Sequence, residues 1–248
     1  MCVAWARTPA EVREAQRLRF QVFATEVGAR LSPPAGTPPG LDVDRFDPHC
    51  DHLLVRAGSS GPVVGTYRVL PPDRARVAGG WYGESEFDLA PLQALRPRAL
   101  ELGRSCVHAD WRSGGVILAM WSALAAYMVR RGLDSMVGCA SIGLAGGPEP
   151  ALAVWDHLRR THMAAPAWRV RPWQPLPGAA GDADGHADDA RAPLPASTPP
   201  LLKGYLRCGA RVLGPPALDA AFNTADLPLL LRLEDMAPRY RRHLLDAA

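Results

Sequence analysis

Apolar residues recur at helical spacing at Val12, Ala15, Leu18, Val22 and Phe23, just after Thr8-Pro9-Ala10-Glu11. A capping threonine, a proline at the first helical position and a glutamate three residues past the cap open a helix, so the pattern predicts one from here towards Val22 or Glu26. Arg19 falls near the edge of its apolar face, where an ordinary surface arginine is the default. Residues 31–40, LSPPAGTPPG, carry four prolines. These remove donors and fix the backbone, which leaves a loop of the kind that serves as a lid. A period of two follows: His52–Arg56 and Val63–Leu70 read as strands joined into a hairpin by Gly-Ser-Ser-Gly-Pro and closed by Pro71-Pro72.

The stretch 100–131, LELGRSCVHADWRSGGVILAMWSALAAYMVRR, reads as strand, turn and helix, with Gly132 as the helix stop. Two ionisable groups, Glu101 and Arg104, sit on a strand that is otherwise apolar, and such groups need a reason to be there. Residues three apart on a regular strand face opposite ways, so the two share a site only if the strand is kinked, and a β-bulge at Gly103 is predicted. Arg112-Ser113-Gly114-Gly115 then precedes the helix; free backbone N–H groups with glycines that admit close approach form an anion seat suited to a phosphate-bearing ligand. On this stretch alone a second reading stays open, in which the glycines only turn the chain and Glu101 pairs structurally with Arg104.

Further along, residues 79–89 read as a loop with a helix-starting turn after Asp88, and Ser135–Ile142 as a strand whose small Gly138, Ala140 and Ser141 leave room for a ligand. Glu149–Met163 is a helix with Val154, Trp155 and Leu158 on its apolar side; Leu201–Ala210 is a short helix ending at Gly209, and Arg211–Leu213 and Pro228–Leu233 are strands. Residues 175–200, rich in Pro, Ala, Gly and Asp, predict a flexible insertion and not a linker between domains. The fold class is α/β, a mixed central β-sheet with helices on both faces, in one domain over residues 1–248.

Composition changes this picture little. At 48% hydrophobic content the chain buries a sizeable core. Of its 28 basic residues 27 are arginine, with no dense basic stripe interleaved with aromatics, so nucleic acid is not an expected partner. Four aspartates in residues 178–190 carry −4 of a net +3, leaving +7 on the remainder, which suits an acidic or phosphorylated partner. Five scattered cysteines without a C-x-x-C pair argue against a disulfide framework or a zinc site and fit a reducing cytoplasm. No signal-peptide pattern opens the chain, and the uncharged run 113–129 reads as a core helix and not a membrane span. Arg239–His243 forms a small basic helix, solvated by default, with contact to anionic lipid as the alternative.

Asp42, Asp44, Asp47 and Asp51 cluster beside His49, Cys50 and His52, without the ligand spacing of a zinc site or the glycine and terminal glutamate of a calcium loop. No metal is expected there; the carboxylates hold a cationic substrate or nearby arginines. Arg68, a lone charge in an apolar strand, must be paired or in a site. His157 and His162 are five apart, the wrong spacing for a shared metal on one helix face.

Seven stretches in order, LRFQVF with Arg19, DRFDPHCDHLLV from Asp44, VVGTYRVL with Arg68, LELGRSCV with Glu101 and Arg104, GCAS from Gly138, LLKGYLRCGA from Leu201 and FNTADL from Phe222, resemble the bacterial ornithine acyltransferases. Those enzymes make lyso-ornithine lipid and belong to the GNAT superfamily, beside the acyl-homoserine-lactone synthases. The resemblance implies a GNAT-like fold, no bound cofactor, and transfer of a 3-hydroxylated fatty acyl group from acyl carrier protein to the α-amine of ornithine. One departure bears on the donor: the superfamily's turn ends in Gly or Ala where this chain has Ile117, which favours a carrier-protein phosphopantetheine thioester held by Arg112, Ser113, Gly114 and Gly115 over acyl-CoA. Chemistry then assigns roles. Glu101 is the expected base for the α-ammonium, and backbone N–H groups from Gly103 to Ser105, beside Arg104, form the oxyanion site. Arg68 or Arg19 would hold the amino acid's carboxylate, and Asp44 or Asp47 its second ammonium. An acylated Cys106, with His108 as its base, is the rival mechanism. The alternatives are another amino acid acceptor such as glycine, a lactone-forming synthase, or a non-catalytic acyl-carrier or lipid-binding protein.

Overall fold

The structure is a computed structural model describing residues 1–112, 114–179, 181 and 193–236; Ser113, the middle of the expected insertion and the basic segment from Arg239 lie outside the described residues. In chain order the strands are β1 Cys2–Trp5, β2 Asp51–Arg56, β3 Val63–Leu70, β4 Phe87–Asp88, β5 Ala99–Val107, β6 Ser135–Gly143, β7 Arg171–Pro172, β8 Arg211–Val212, β9 Ala217–Asp219 and β10 Thr224–Arg232. The α-helices are α1 Pro9–Phe20, α2 Pro72–Val77, α3 Gly115–Arg131, α4 Glu149–Thr161 and α5 Pro200–Cys208. The architecture is α/β, mostly antiparallel sheet flanked by helices, and the described residues divide into two compact units, Met1–Trp81 with Leu100–Leu133, and Tyr82–Ala99 with the described residues from Asp134 onward.

In the first unit β1, β2, β3 and β5 form an antiparallel ladder. Helix α1 begins as its sequence dictates: Thr8 accepts the Glu11 N–H, and the Glu11 carboxylate accepts the Thr8 N–H in return. It runs on into a π-helical turn, Gln21–Glu26. Ala15, Leu18 and Val22 pack with Leu54 on β2, Val63 on β3 and Cys106 on β5. The opposite face of the sheet takes α3. A Cβ on Gly65 would stand 2.4 Å from the Val116 side chain, so only glycine lets this helix lie so close to β3.

The second unit is built on β10, paired with β6 along its whole length and on its other edge with β9 at Thr224–Asp226 and β8 at Leu229–Leu230. Pro228 falls between those two partners, where a missing N–H costs the sheet little. Val154, Trp155 and Leu158 of α4 and Leu202 and Leu206 of α5 form a core with Ala225, Leu227 and Leu229. Strands β4 and β7 pair as a two-residue ribbon.

Candidate active site

Strand β5 carries the predicted kink, one step further along than expected. Arg68 of β3 faces Gly103 and Thr66 faces Cys106, so two residues of β5, Arg104 and Ser105, stand against the single Tyr67. The strained residue is Arg104, with φ 51°, while a Cβ on Gly103 would meet nothing within 4 Å. The bulge thus lies at the residue whose side chain meets Asp42 and Asp44. Across the ladder Glu101 faces Leu70, so Glu101, Gly103 and Arg68 share one face. Arg104 is brought to Asp42, which also pairs with Arg19, at 3.4 Å and to Asp44, which also pairs with Arg68, at 3.5 Å.

Three arginines and three aspartates interlock here. Arg19 donates through Nε to Asp42 at 2.8 Å and through Nη2 to the Asp42 carbonyl and to Asp47 at 2.7 Å. Arg68 donates through Nη1 to Asp44 at 2.6 Å and Asp47 at 2.9 Å. Asp47 also accepts from the Gln16 amide at 2.9 Å. Burial pushes the Asp47 carboxyl up, but Arg19 and Arg68 outweigh it and hold its pKa at about 2. His52 is buried with Nε2 at 3.2 Å from the Asp47 carbonyl, and burial lowers its pKa, so the ring is neutral. Its Nδ1 and Arg19 Nη1 have no hydrogen-bond partner among the described residues.

Exposure grades the members. The Arg19 and Arg68 side chains are 0% and 4% exposed and Asp42 and Asp47 3%, whereas Asp44 is 19% and Arg104 14% exposed. Arg19 is therefore no surface arginine: a guanidinium at the edge of an apolar helix face is buried when carboxylates meet it. The buried ion pairs fix the loop before β2 against α1 and β3, and leave Asp44 and Arg104 as the more exposed members of the network. Cys106 is also buried, and burial pushes its thiol up to about 12 against the pull of Arg19, so it holds no thiolate at neutral pH. His108 spends its Nδ1 on the Asp110 N–H of the following turn.

At the start of α3, Gly114 is left-handed with φ 102°, and among the described residues no side chain caps the helix. Its first N–H groups have no partner within the helix itself. Arg112 beside them donates through Nε to the Val107 carbonyl at 3.0 Å and pairs with Glu26 at 2.5 Å.

The structure thus brings together Arg19, Asp44, Asp47, Arg68 and Arg104 in one network, places Glu101 and the Gly103–Ser105 backbone on the adjoining strand, and sets Arg112, Gly114 and Gly115 at the helix start; Ser113 lies outside the described residues. Sequence reasoning left out Gln16, and named Asp42 and His52 only as members of the acidic cluster, whose expected hold on a nearby arginine Asp42 shows. Gln16 stands three residues before Arg19, on the same side of α1, which was a readable signal; burial of His52 was not. In the second unit, outside this network, Glu86, Asp219 and Asp226 bring carboxylate oxygens within 4.8 Å of one another, and Glu86 and Asp219 line a cavity of about 230 Å³ with Tyr82 and Trp173.

Residues 18–122 match the acetyltransferase (GNAT) domain family. Among solved structures, the chain is similar to FeeM, an N-acyl amino acid synthase from uncultured soil microbes, with TM-score 0.55, 11% identity and coverage of 96% of this chain and 95% of that one. It is similar also to BjaI, a CoA-dependent acyl-homoserine lactone synthase, with TM-score 0.54, 19% identity and coverage of 96% and 82%. Identities this low show the fold, which is that of the GNAT acyl synthases. The sequence relatives are nearer. L-ornithine N(alpha)-acyltransferase of Rhodobacter capsulatus is 38% identical over 244 residues, 95% of this chain and 91% of that protein. The enzyme of the same name from Brucella abortus is 37% identical over 245 residues, 96% of this chain and 86% of that protein. With such identity along nearly its whole length, the chain belongs to the L-ornithine N(alpha)-acyltransferase family.

Proposed function

We propose that this protein is an N-acyltransferase that moves a 3-hydroxylated fatty acyl group from the phosphopantetheine thioester of acyl carrier protein to the α-amine of ornithine, forming lyso-ornithine lipid. The observation that supports this most directly is the identity of 36–38% to enzymes named for that acceptor, over about 95% of the chain.

An α-ammonium has no lone pair to attack with, so a base comes first. Glu101, buried on β5 beside the bulge, takes the proton directly or through one water. The amine nitrogen then attacks the thioester carbonyl carbon. Negative charge gathers on the carbonyl oxygen, and backbone N–H groups from Gly103 to Ser105, where the bulge breaks the register with β3, stabilise it. Collapse breaks the C–S bond, the amide nitrogen loses its second proton, and the pantetheine thiolate is protonated as it leaves. Arg104 and Asp44, the accessible members of the network, are the partners offered to the acceptor's carboxylate and second ammonium. Arg19, Asp47 and Arg68 hold those two in place. Arg112, Gly114 and Gly115, with Ser113, seat the donor's phosphate at the helix start. No bound cofactor is required.

Replacing Glu101 with Gln tests the base. Turnover should fall by about 10²-fold or more, with acyl-carrier binding retained. Unchanged turnover would remove Glu101 from the mechanism. Comparing carrier-bound and CoA-bound acyl groups at equal concentration tests the donor: equal or faster transfer from CoA would overturn that part of the reading.

A further inference from the structure

Helix α3 is apolar on the side that faces solvent. From Gly115 to Val129 it carries no Asp, Glu, Lys or Arg, and such a helix ought to be buried all round. It is not. Leu118 is 44% and Val129 54% exposed. Eleven residues apart, they fall on the same side of the helix, three turns from each other. Ser122 and Ala126 lie between them. The strip is extended at both ends. Met1, 63% exposed, lies near Gly115, where an added Cβ would meet its terminal methyl at 3.1 Å. At the other end Arg131 pairs with Asp73 of α2 at 3.3 Å, which sets α2 beside the helix end, and Val77, one turn after Asp73, is 74% exposed.

The charges gather at that second end. Arg74, Arg76, Arg130 and Arg131 stand there, and among the described residues only Asp51 and Asp73 pair with them, through Arg74 and Arg131. Arg76 and Arg130 are exposed and have no ion-pair partner among the described residues. An apolar strip with no acidic group along it and surplus arginines at its end is complementary to an anionic bilayer, with side chains entering the acyl boundary and guanidinium groups meeting lipid phosphates. A second copy fits poorly. A helix face roughly 25 Å long and 10 Å wide offers about 250 Å², against about 800 Å² per partner in a stable dimer.

We infer that the outer face of α3, with Met1, Val77, Arg76 and Arg130, docks this protein reversibly on an anionic membrane surface. The docking is peripheral: among the described residues no helix is long and apolar enough to cross a bilayer.

The test is co-sedimentation of the full chain with phosphatidylglycerol or phosphatidylcholine vesicles, using Leu118→Glu with Val129→Glu, and separately Arg76→Glu with Arg130→Glu. The wild type should bind phosphatidylglycerol vesicles and release them in high salt, and each pair should lower binding about tenfold or more. Transfer to a soluble acceptor, and KM for the acyl carrier, should not move. Binding that survives both pairs would overturn the proposal, and loss only on removal of residues 237–248 would transfer the role to that segment. A concentration-dependent dimer split by the Leu118 and Val129 pair, without vesicle binding, would make the strip a self-association face. A raised KM for acyl carrier with vesicle binding unchanged would make it a protein-docking face. Vesicle binding is read without turnover, so its result stands apart from the acyltransfer reading.

Discussion

Asp47 is the best-connected carboxylate of the network, accepting from Gln16, Arg19 and Arg68 while almost wholly buried. Its pKa of about 2 lies below the ordinary aspartate value, so it contributes stability that is complete above about pH 4 and is lost as pH falls towards 2. The shift corresponds to roughly 2 kcal/mol. Asp47→Asn should therefore destabilise the protein at pH 7 by about 3–5 kcal/mol, because two arginines lose their charge partner. The gap to wild type in urea unfolding should narrow by roughly 2 kcal/mol between pH 5 and pH 2. Parallel curves across that range would show that Asp47 is not held ionised by its arginines. Here the sequence was half legible. Arg68 announced itself as a lone charge in an apolar strand, and Glu101 and Arg104 as two charges at an odd spacing. Arg19 did not, because a charge at the rim of an amphipathic helix looks the same whether the next layer is water or carboxylate.

The bulge on β5 was readable from the conflict between a period of two and a spacing of three. Its placement was not: Gly103 looked like the permissive residue, yet Arg104 takes the positive φ. Backbone strain at Arg104 predicts that Arg104→Val is less stable than Arg104→Gly by about 1–3 kcal/mol, since both lose the guanidinium and only valine must be forced into the left-handed region. Equal urea midpoints would contradict the φ of 51° at this position. The seat of α3 on the sheet makes a second demand. Gly65→Ala drives a Cβ into Val116 and should cost about 1–3 kcal/mol, much of it recovered when Val116→Ala is added. A full cost in the double variant would mean that the helix is held off by something else. Gly65 gave no signal in sequence, because close approach of a helix is a property of packing. Helices α1, α3 and α5 and the β2–β3 hairpin were legible from caps, periodicity and turn residues. Strands β1, β4, β7 and β9 were not; with 2–4 residues each, they show too little alternation to stand out. Strand β10 was read as Pro228–Leu233. It starts at Thr224, since the proline sits where the neighbouring strand changes.

The chain as expected from sequence was one domain; its contacts group into two units, and every residue assigned to the chemistry lies in the first, within or near the stretch that matches the GNAT family. The likeness to L-ornithine N(alpha)-acyltransferases extends through the second unit as well. The chemistry proposed for acyl transfer draws on local features of one unit, the bulge, the network and the start of α3, while acceptor identity rests on likeness over both. Identifying the product therefore bears hardest on the account. Purified protein would be mixed with 3-hydroxyacyl carrier protein and a panel of amino acids including ornithine, and the products read by mass spectrometry. The account predicts acylated ornithine as the main product, with the acyl group on the α-nitrogen in fragmentation. A different acylated amino acid as the main product, or none from a competent acyl carrier, would contradict it.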